Sequence, residues 1–306
     1  MQTTLAKTVQ FVGMGLHSGR PVRITLRPAC ADSGARFRRV DITDRDNIVP
    51  ARFDAVSDTR LNTRLSNAVG VSVSTVEHLM AAITGAGLRN VLIDIDGPEV
   101  PIMDGSARRF LAEIAEAGLV AQSAPLHVLR VAKDVRHVEA SAEVRIAPHD
   151  GLRISFEIDF ADAAIGHQAA SFDLANGTFA RELAECRTFC RRTDIDQMRA
   201  VGLALGGTLE NAVVVDGETV LNPEGFRRAD ECVRHKILDV VGDIALVGMP
   251  ILGHYTGIRA GHGPTNRMLR TLLATPSAYR IETCTPEMAA ALPGAGLRVE
   301  DLAAAG

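Results

Sequence analysis

The chain has 306 residues, of which 46% are hydrophobic and 23% charged, and its formal net charge at pH 7 is -4. This composition is typical of a globular protein with enough residues for one large domain or two of ordinary size. Because there is no excess of positive charge, and because aromatic residues make up only 4% with no tryptophan, nucleic acid is not an expected partner.

The cysteines and the apolar segments indicate the compartment. The five cysteines are scattered and contain no CxxC pair, which is typical of reduced thiols in a cytoplasmic protein. The first residues contain no apolar stretch like that of a signal peptide, and no apolar run is long enough to span a bilayer. We therefore expect a cytoplasmic protein without stable membrane insertion, and we also expect a monomer.

The first part of the chain predicts strands, a helix, a strand and a second helix. Alternation predicts strands at 22–28 and 36–42, and the spacing of Val76, Leu79, Met80 and Ile83 predicts a helix that ends at Gly85 or Gly87. An apolar strand at 90–96 and a helix at 106–119 follow.

The same order returns after a short polar segment with a proline at 121–125. Strands are predicted at 127–140, 142–148 and 152–160, helices at 179–186 and 232–249, a strand at 251–261 and a helix at 264–274 with Pro264 in its first turn. The repeat predicts an α+β fold of two similar domains, 1–125 and 126–306, with the helices of the two packed together.

The helix predicted at 232–249 carries a polar stripe. His235, Asp239 and Asp243 recur every four residues, so they lie on one face, while apolar residues cover most of the remainder. Burying an imidazole and two carboxylates costs several kcal/mol unless they are paired or bound to a metal. The stripe therefore predicts either a metal site or an internal hydrogen-bond network.

The corresponding helix of the first half carries Glu77 and His78. Taken alone, His78 is a half-buried histidine, and Glu77 fits a capping box with Ser74 as the N-cap. If the helices of the two halves pack together, however, His78 meets His235 and Asp239. Two imidazoles and one carboxylate leave the fourth position of a Zn²⁺ ion open for water, and Glu77 would then be close enough to take a proton from that water.

His262 lies between two glycines, which predicts a loop just before the last of these helices. A loop histidine is as often merely exposed, but Asp243 lies one helical turn beyond Asp239 and is the natural partner for its imidazole. A charged histidine held by a carboxylate suits a general acid.

Several long segments carry a resemblance to a known family. The segments are VSTVEHLMAAITGAGLRN at 73–90, GPEVPIMDGSA at 97–107, CRTF at 186–189, LGGTLENAVVVDG at 205–217, VLNPEGFRRADECVRHKILDVVGD at 220–243 and RAGHGPTNR at 259–267. Together they resemble the UDP-3-O-acyl-N-acetylglucosamine deacetylases of lipid A biosynthesis over nearly the whole chain.

The resemblance implies a zinc-dependent hydrolysis of the acetamide of a UDP-linked, acylated N-acetylglucosamine. It implies one Zn²⁺ per chain on His78, His235 and Asp239, with Glu77 as general base. It also implies that His262, oriented by Asp243, stabilises the oxyanion or protonates the leaving amine. Thr188 would contact the tetrahedral intermediate. Lys236 would place a fixed positive charge near the oxyanion or a phosphate, although on sequence alone it is a side chain at the edge of the helix.

The family fold is two α+β domains, each a sheet layered with two helices, with the helices between the domains and a small insertion in each domain. The second insertion, here about 191–215, would form a passage for the acyl chain, although on sequence alone its apolar residues fit a core-packing element. The family often has a basic residue where this chain has Ala147, so Arg259 is the candidate for the diphosphate. The substrate-binding residues implied are Phe189, Arg259, Leu16, Leu61, Met198, Leu203 and Leu205.

Two other functions fit the same ligand set. Two histidines and a carboxylate also form the iron site of non-haem oxygenases. A nucleotide-sugar binding protein with a structural metal is the second alternative, although structural zinc sites usually have four ligands.

Overall fold

The computed structural model describes residues 1–298 and 300–303. Its first half begins and ends with two strands that pair with each other, β1 and β10. Its strands are β1 Thr3–Leu5, β2 Val9–Met14, β3 Pro21–Pro28, β4 Ala35–Arg39, β5 Ile48–Pro50, β6 Val56–Asp58, β7 Arg64–Ser66, β8 Ser72–Val73, β9 Val91–Ile95 and β10 Leu119–Ala121, and its helices are α1 Glu77–Ala86 and α2 Arg108–Ala117. A 3-10 turn at Phe53–Ala55 precedes β6.

The second half contains the remaining strands and helices. The strands are β11 His127–Val131, β12 Val135–Glu139, β13 Ala142–Ala147, β14 Leu152–Asp159, β15 His167–Asp173, β16 Phe189–Arg191, β17 Val213–Asp216, β18 Thr219–Val220, β19 Ile251–Ile258 and β20 Tyr279–Thr283. The helices are α3 Arg192–Ala200, α4 Glu231–Ala245, α5 His262–Leu273, α6 Pro286–Ala290 and α7 Glu300–Ala303. This half also contains a π-helical turn at Phe179–Leu183 and a 3-10 turn at Pro276–Ala278.

Each half is built on one mixed sheet with the same pattern at its centre. The first sheet has the order β2-β3-β9-β4-β5, with β9 antiparallel to β3 and parallel to β4. In the second sheet β19 is likewise antiparallel to β13 and parallel to β14, and β11 and β20 extend it. The α+β class is confirmed. The pair β1–β10 ends at Ala121, the first residue of the segment 121–125, and the division into 1–125 and 126–306 stays a prediction.

Each half also carries a small additional sheet. In the first half it is β6-β7-β8. In the second half β16 and β17 pair in parallel and α3 connects them, within the segment predicted as an insertion. The helix predicted at 179–186 is shorter, a π-helical turn that ends at Leu183.

The helices α1 and α4 pack against each other, and the backbone of Glu77 in α1 lies against Gly242 of α4. A Cβ atom at this position would lie 2.0 Å from the carbonyl oxygen of Glu77, so only glycine permits the crossing. Both helices are almost wholly buried, because their apolar faces contact the sheets as well as each other. The crossing places the first turn of α1 against the polar stripe of α4.

Among the residues that the structure describes, no helix is both long and apolar enough to cross a membrane.

Candidate active site

Glu77 and His78 are the first two residues of α1, and both are buried. The capping box predicted for this helix is wrong. Val76 is the N-cap and makes no side-chain cap, while the backbone and hydroxyl of Ser74 bond to the carbonyl of Pro98. The Glu77 carboxylate therefore does not turn back to cap the helix, and it accepts a hydrogen bond from the backbone N–H of Thr63 at 3.1 Å.

The polar stripe of α4 is buried, and it faces the start of α1. The imidazoles of His78 and His235 lie edge to face with ring centres 4.9 Å apart. The Oδ1 atom of Asp239 is 3.5 Å from Nε2 of His78 and 3.3 Å from Nε2 of His235. One ligand-type atom from each of the three residues lies within 4.8 Å of the others. The residues predicted to share an ion are thus close enough to do so.

The chemistry of this cluster fits a divalent cation. His78 Nδ1 and Asp239 Oδ1 are buried and find no hydrogen-bond partner among the residues that the structure describes. Such unsatisfied atoms are costly, and a cation would satisfy the carboxylate oxygen. The Nδ1 atom of His235 lies 2.9 Å from the carbonyl of Cys186, and burial lowers the pKa of His235 to about 4. A neutral ring that donates from Nδ1 has Nε2 free to bind a metal.

Lys236 is tied to the same carboxylate. Its Nζ atom donates to Oδ2 of Asp239 at 2.7 Å, so the two oxygens of Asp239 face different partners. Burial opposes ionisation of Asp239, but Lys236 and His235 outweigh it and hold the pKa well below its usual range. Asp239 is therefore ionised at neutral pH, as a metal ligand must be.

His262 differs from its predicted setting. It is not in a loop but is the first residue of α5, and it is buried. Its Nδ1 atom lies 2.7 Å from Oδ2 of Asp243, and its Nε2 atom lies 3.9 Å from Oε1 of Glu77. Burial disfavours a charged imidazole, but Asp243 and Glu77 outweigh it and raise the pKa of His262 to about 9. Burial also raises the pKa of Glu77. The site thus contains a protonated histidine beside a buried carboxylate whose pKa is raised.

The raised pKa of His262 predicts a pH-dependent stability. A group whose pKa rises from 6.5 in the unfolded chain to about 9 in the folded chain stabilises the fold fully below pH 6.5. This contribution is lost as the pH rises through about 9. Urea unfolding of the wild type should show a falling free energy of unfolding across this interval, and His262→Gln should flatten the fall. An equal slope in both proteins would contradict the assignment.

A cavity of about 1070 Å³ opens beside this cluster. The residues predicted to contact substrate that line it are Leu16, Leu61, Thr188, Phe189, Lys236 and Met198. Leu203 and Leu205 do not line it. The backbone of this segment docks on the turn after β2 instead, with Leu205 N–H bonded to His17 O and Gly206 N–H to Leu16 O. Leu205 is 55% exposed.

The position predicted for the diphosphate lies outside the large cavity. Arg259 lines a neighbouring depression of about 490 Å³, which shares Leu61, Lys236 and His262 with the large one. The guanidinium of Arg259 is half exposed and lies 3.7 Å from Asp159. A basic group at the edge of the site can meet a phosphate that extends from the cavity.

Some buried residues that support the site from outside the cavity could not be predicted from the sequence. Arg187, beside Thr188, is 1% exposed and donates from Nε to Glu231 at 2.9 Å. Glu231 begins α4, the helix that carries His235, and it also accepts the backbone N–H of Arg187. An acidic residue in the first turn of a helix is a detectable signal, but a distant arginine that pairs with it is not. Thr63 was missed for the same reason.

The chain is similar to a known family along most of its length. The family model described as UDP-3-O-acyl N-acetylglycosamine deacetylase matches residues 2–274. Three relatives carry the name UDP-3-O-acyl-N-acetylglucosamine deacetylase. The relative from Phenylobacterium zucineum is 43% identical over 291 residues, which cover 95% of this chain and 99% of the relative. The relative from Anaeromyxobacter sp. is 46% identical over 287 residues, 94% of this chain and 93% of the relative. The relative from Myxococcus xanthus is 44% identical over 304 residues, 99% of this chain and 95% of the relative.

Proposed function

The chain belongs to the UDP-3-O-acyl N-acetylglycosamine deacetylase family and is a hydrolytic deacetylase, and from that premise we propose its substrate, its metal and the roles of its residues. The substrate is UDP-3-O-(3-hydroxyacyl)-N-acetylglucosamine. The reaction hydrolyses the acetamide and releases acetate and the free 2-amino sugar nucleotide, a step of lipid A biosynthesis. We retain the expectation of a monomeric, cytoplasmic enzyme with one zinc ion per chain.

One observation carries the assignment of the metal. Three metal-ligand side chains from two helices converge within 4.8 Å, and one buried carboxylate oxygen among them lacks a hydrogen bond within the described part of the chain. His78, His235 and Asp239 would hold the ion. Zinc at such a site lowers the pKa of a bound water to about 7 and polarises a carbonyl group.

The chain's own residues supply the proton transfers. Glu77 accepts the proton of the water that attacks the acetamide carbonyl, because it lies next to the proposed ligand His78 and burial raises its pKa, which makes its carboxylate a stronger proton acceptor. The protonated His262, held by Asp243, faces the same place and stabilises the negative charge that develops on the carbonyl oxygen. Either His262 or Glu77 then gives a proton to the leaving amine.

The remaining residues bind and orient the substrate. Thr188 lines the cavity beside Phe189, where its hydroxyl can donate to the tetrahedral intermediate. Lys236 lines both cavities, so its charge can serve the oxyanion or a phosphate. The apolar walls formed by Leu16, Leu61 and Met198 receive the acyl chain. Arg259 receives the diphosphate at the outer edge.

The site does not favour either alternative function. An oxygenase needs a second substrate and has no use for a buried carboxylate beside the ligands, whereas hydrolysis requires a base at this place. A structural metal site is normally closed by four protein ligands, and the cluster here contains three.

The test measures acetate released from UDP-linked 3-O-acyl-N-acetylglucosamine by the purified protein. A chelator should abolish the release and added Zn²⁺ should restore it, because without the ion nothing activates the water or polarises the acetamide carbonyl. Elemental analysis should find about one zinc per chain in the wild type and much less in His78→Ala.

A matched control is His149→Ala, since His149 is a partly exposed histidine outside the cluster. Its zinc content and acetate release should equal those of the wild type. Undiminished acetate release by the metal-free protein would overturn the proposed role of the metal.

A further inference from the structure

Thr63 touches both halves of the catalytic machinery at once. It lies in the connection between β6 and β7 and is 1% exposed. Its backbone N–H donates to Oε2 of Glu77 at 3.1 Å, and its hydroxyl donates to Oδ1 of Asp243 at 2.6 Å. One residue therefore holds the proposed base and the carboxylate partner of the proposed acid.

The backbone around Thr63 is itself held firmly. Its carbonyl accepts the N–H of Val76, the residue before α1, at 3.4 Å. The side chain of the preceding Asn62 accepts the N–H of Thr75 at 3.3 Å. The segment is thus bonded to the start of α1 through Asn62 and through Thr63 itself, while the Thr63 hydroxyl faces α4.

The hydroxyl decides how Asp243 can be oriented. Oδ2 of Asp243 faces Nδ1 of His262 at 2.7 Å, while Oδ1 faces Thr63. Because each oxygen has its own donor, the carboxylate is fixed in one rotamer. Without the hydroxyl, Oδ1 would be left buried and unsatisfied, and the carboxylate would gain by turning away from its position beneath His262.

Together the four residues close a ring. Hydrogen bonds join Thr63 to Glu77 and to Asp243, and another joins Asp243 to His262. The ring is completed by Nε2 of His262, which lies 3.9 Å from Oε1 of Glu77. These residues come from three helices and one connection, so no single element can set their spacing.

We infer that Thr63 is a positioning residue that fixes the distance and orientation between the general base Glu77 and the Asp243–His262 pair. This inference rests on the proposed function for the catalytic roles, but the geometry it describes exists without substrate. Thr63 contacts no reacting atom and acts through Asp243 by its hydroxyl and through Glu77 by its backbone.

The test removes the hydroxyl and keeps the shape. Thr63→Val should lower kcat about 10- to 100-fold, the effect of losing a hydrogen bond to a charged group, while KM and zinc content stay near wild-type values. Thr63→Ser keeps the hydroxyl and should restore kcat to near the wild-type value. In an Asp243→Ala background, Thr63→Val should have little further effect, because the path through Asp243 is already broken.

A second readout is independent of activity. The imidazole N–H proton of His262 that faces Asp243 should give an NMR signal that is absent in His262→Gln and shifted in Thr63→Val but not in Thr63→Ser. Thr4→Val is the matched control, since Thr4 is also buried and its hydroxyl donates to the carbonyl of Asn90 at 2.8 Å. This control should leave both kcat and the His262 signal unchanged.

The outcomes separate the two ideas. An inactive wild type would refute the proposed function, while the NMR comparison would still test the positioning of His262. An active wild type with full turnover in Thr63→Val, or an equal loss with and without Asp243, would overturn the inference. If Thr63→Val does not fold, Thr63→Ala enters the same comparison.

Discussion

Replacing Glu77 by glutamine should lower kcat by roughly 10² to 10⁴, the range expected for loss of a general base. The amide keeps the size of the carboxylate and can still accept the N–H of Thr63, but it cannot accept the proton of the attacking water. Turnover of the UDP-linked substrate would be measured at full zinc occupancy, together with the melting temperature.

His262→Gln provides the companion measurement. We expect a loss of similar size, and the double variant should lose much less than the product of the two, because residues that act as a unit are not additive. Turnover of Glu77→Gln at the wild-type rate would remove Glu77 from the mechanism. A large loss of zinc from this variant would instead make Glu77 part of the metal site.

The second large effect is on stability. Arg187→Met should lower the free energy of unfolding by about 3 to 5 kcal/mol, the cost of leaving one member of a buried ion pair without its partner. Arg187 and Glu231 are 1% and 0% exposed at their side chains, and the guanidinium also donates to the carbonyl of Gly225 at 2.7 Å. Urea unfolding measures the difference.

Two comparisons make this stability prediction specific. Arg153→Met removes an ion pair with Asp173 whose side chains are 41% and 51% exposed, and it should cost no more than about 1 kcal/mol. Adding Glu231→Leu to Arg187→Met should recover much of the loss, because the uncompensated buried charge disappears. A small loss in Arg187→Met would contradict this prediction.

The helices and the polar stripe could be predicted because they depend on short-range spacing. Asp239 and Asp243 follow His235 at intervals that force one face in any α-helix, and apolar neighbours require that face to be buried. The strand order could be expected only in outline, as a repeat of two similar halves. Which strands pair, and how far the repeat extends, depend on contacts between residues distant in the sequence.

The errors have a common physical origin in such distant contacts. Ser74 fits a capping box by its spacing, but its hydroxyl donates to the carbonyl of Pro98. The Glu77 carboxylate accepts the backbone N–H of Thr63 instead. The two flanking glycines predict a loop at His262, yet its ring is hydrogen-bonded to Asp243 and α5 starts at this residue. A local sequence pattern shows which hydrogen bonds a side chain can form. Which of them it forms depends on the other groups that compete for the same donor or acceptor.

The apolar insertion shows the same limit. The spacing of Met198, Leu203 and Leu205 indicates one apolar surface, but only Met198 of the three lines the cavity. The hydrogen bonds of 205 and 206 with the turn at Leu16 and His17 orient this stretch of backbone, and no sequence period encodes them.

The crossing at Gly242 joins the architecture of the molecule to the accuracy of its chemistry. The peptide of Glu77 lies directly against that glycine, so a larger residue at 242 would push α1 away from α4 and move Glu77 away from the residues on α4. Most destabilising substitutions in an enzyme reduce the fraction of folded molecules and leave the activity of each folded molecule unchanged. A substitution at this crossing would also lower the kcat of each folded molecule. The fraction of folded molecules and the kcat would therefore fall together.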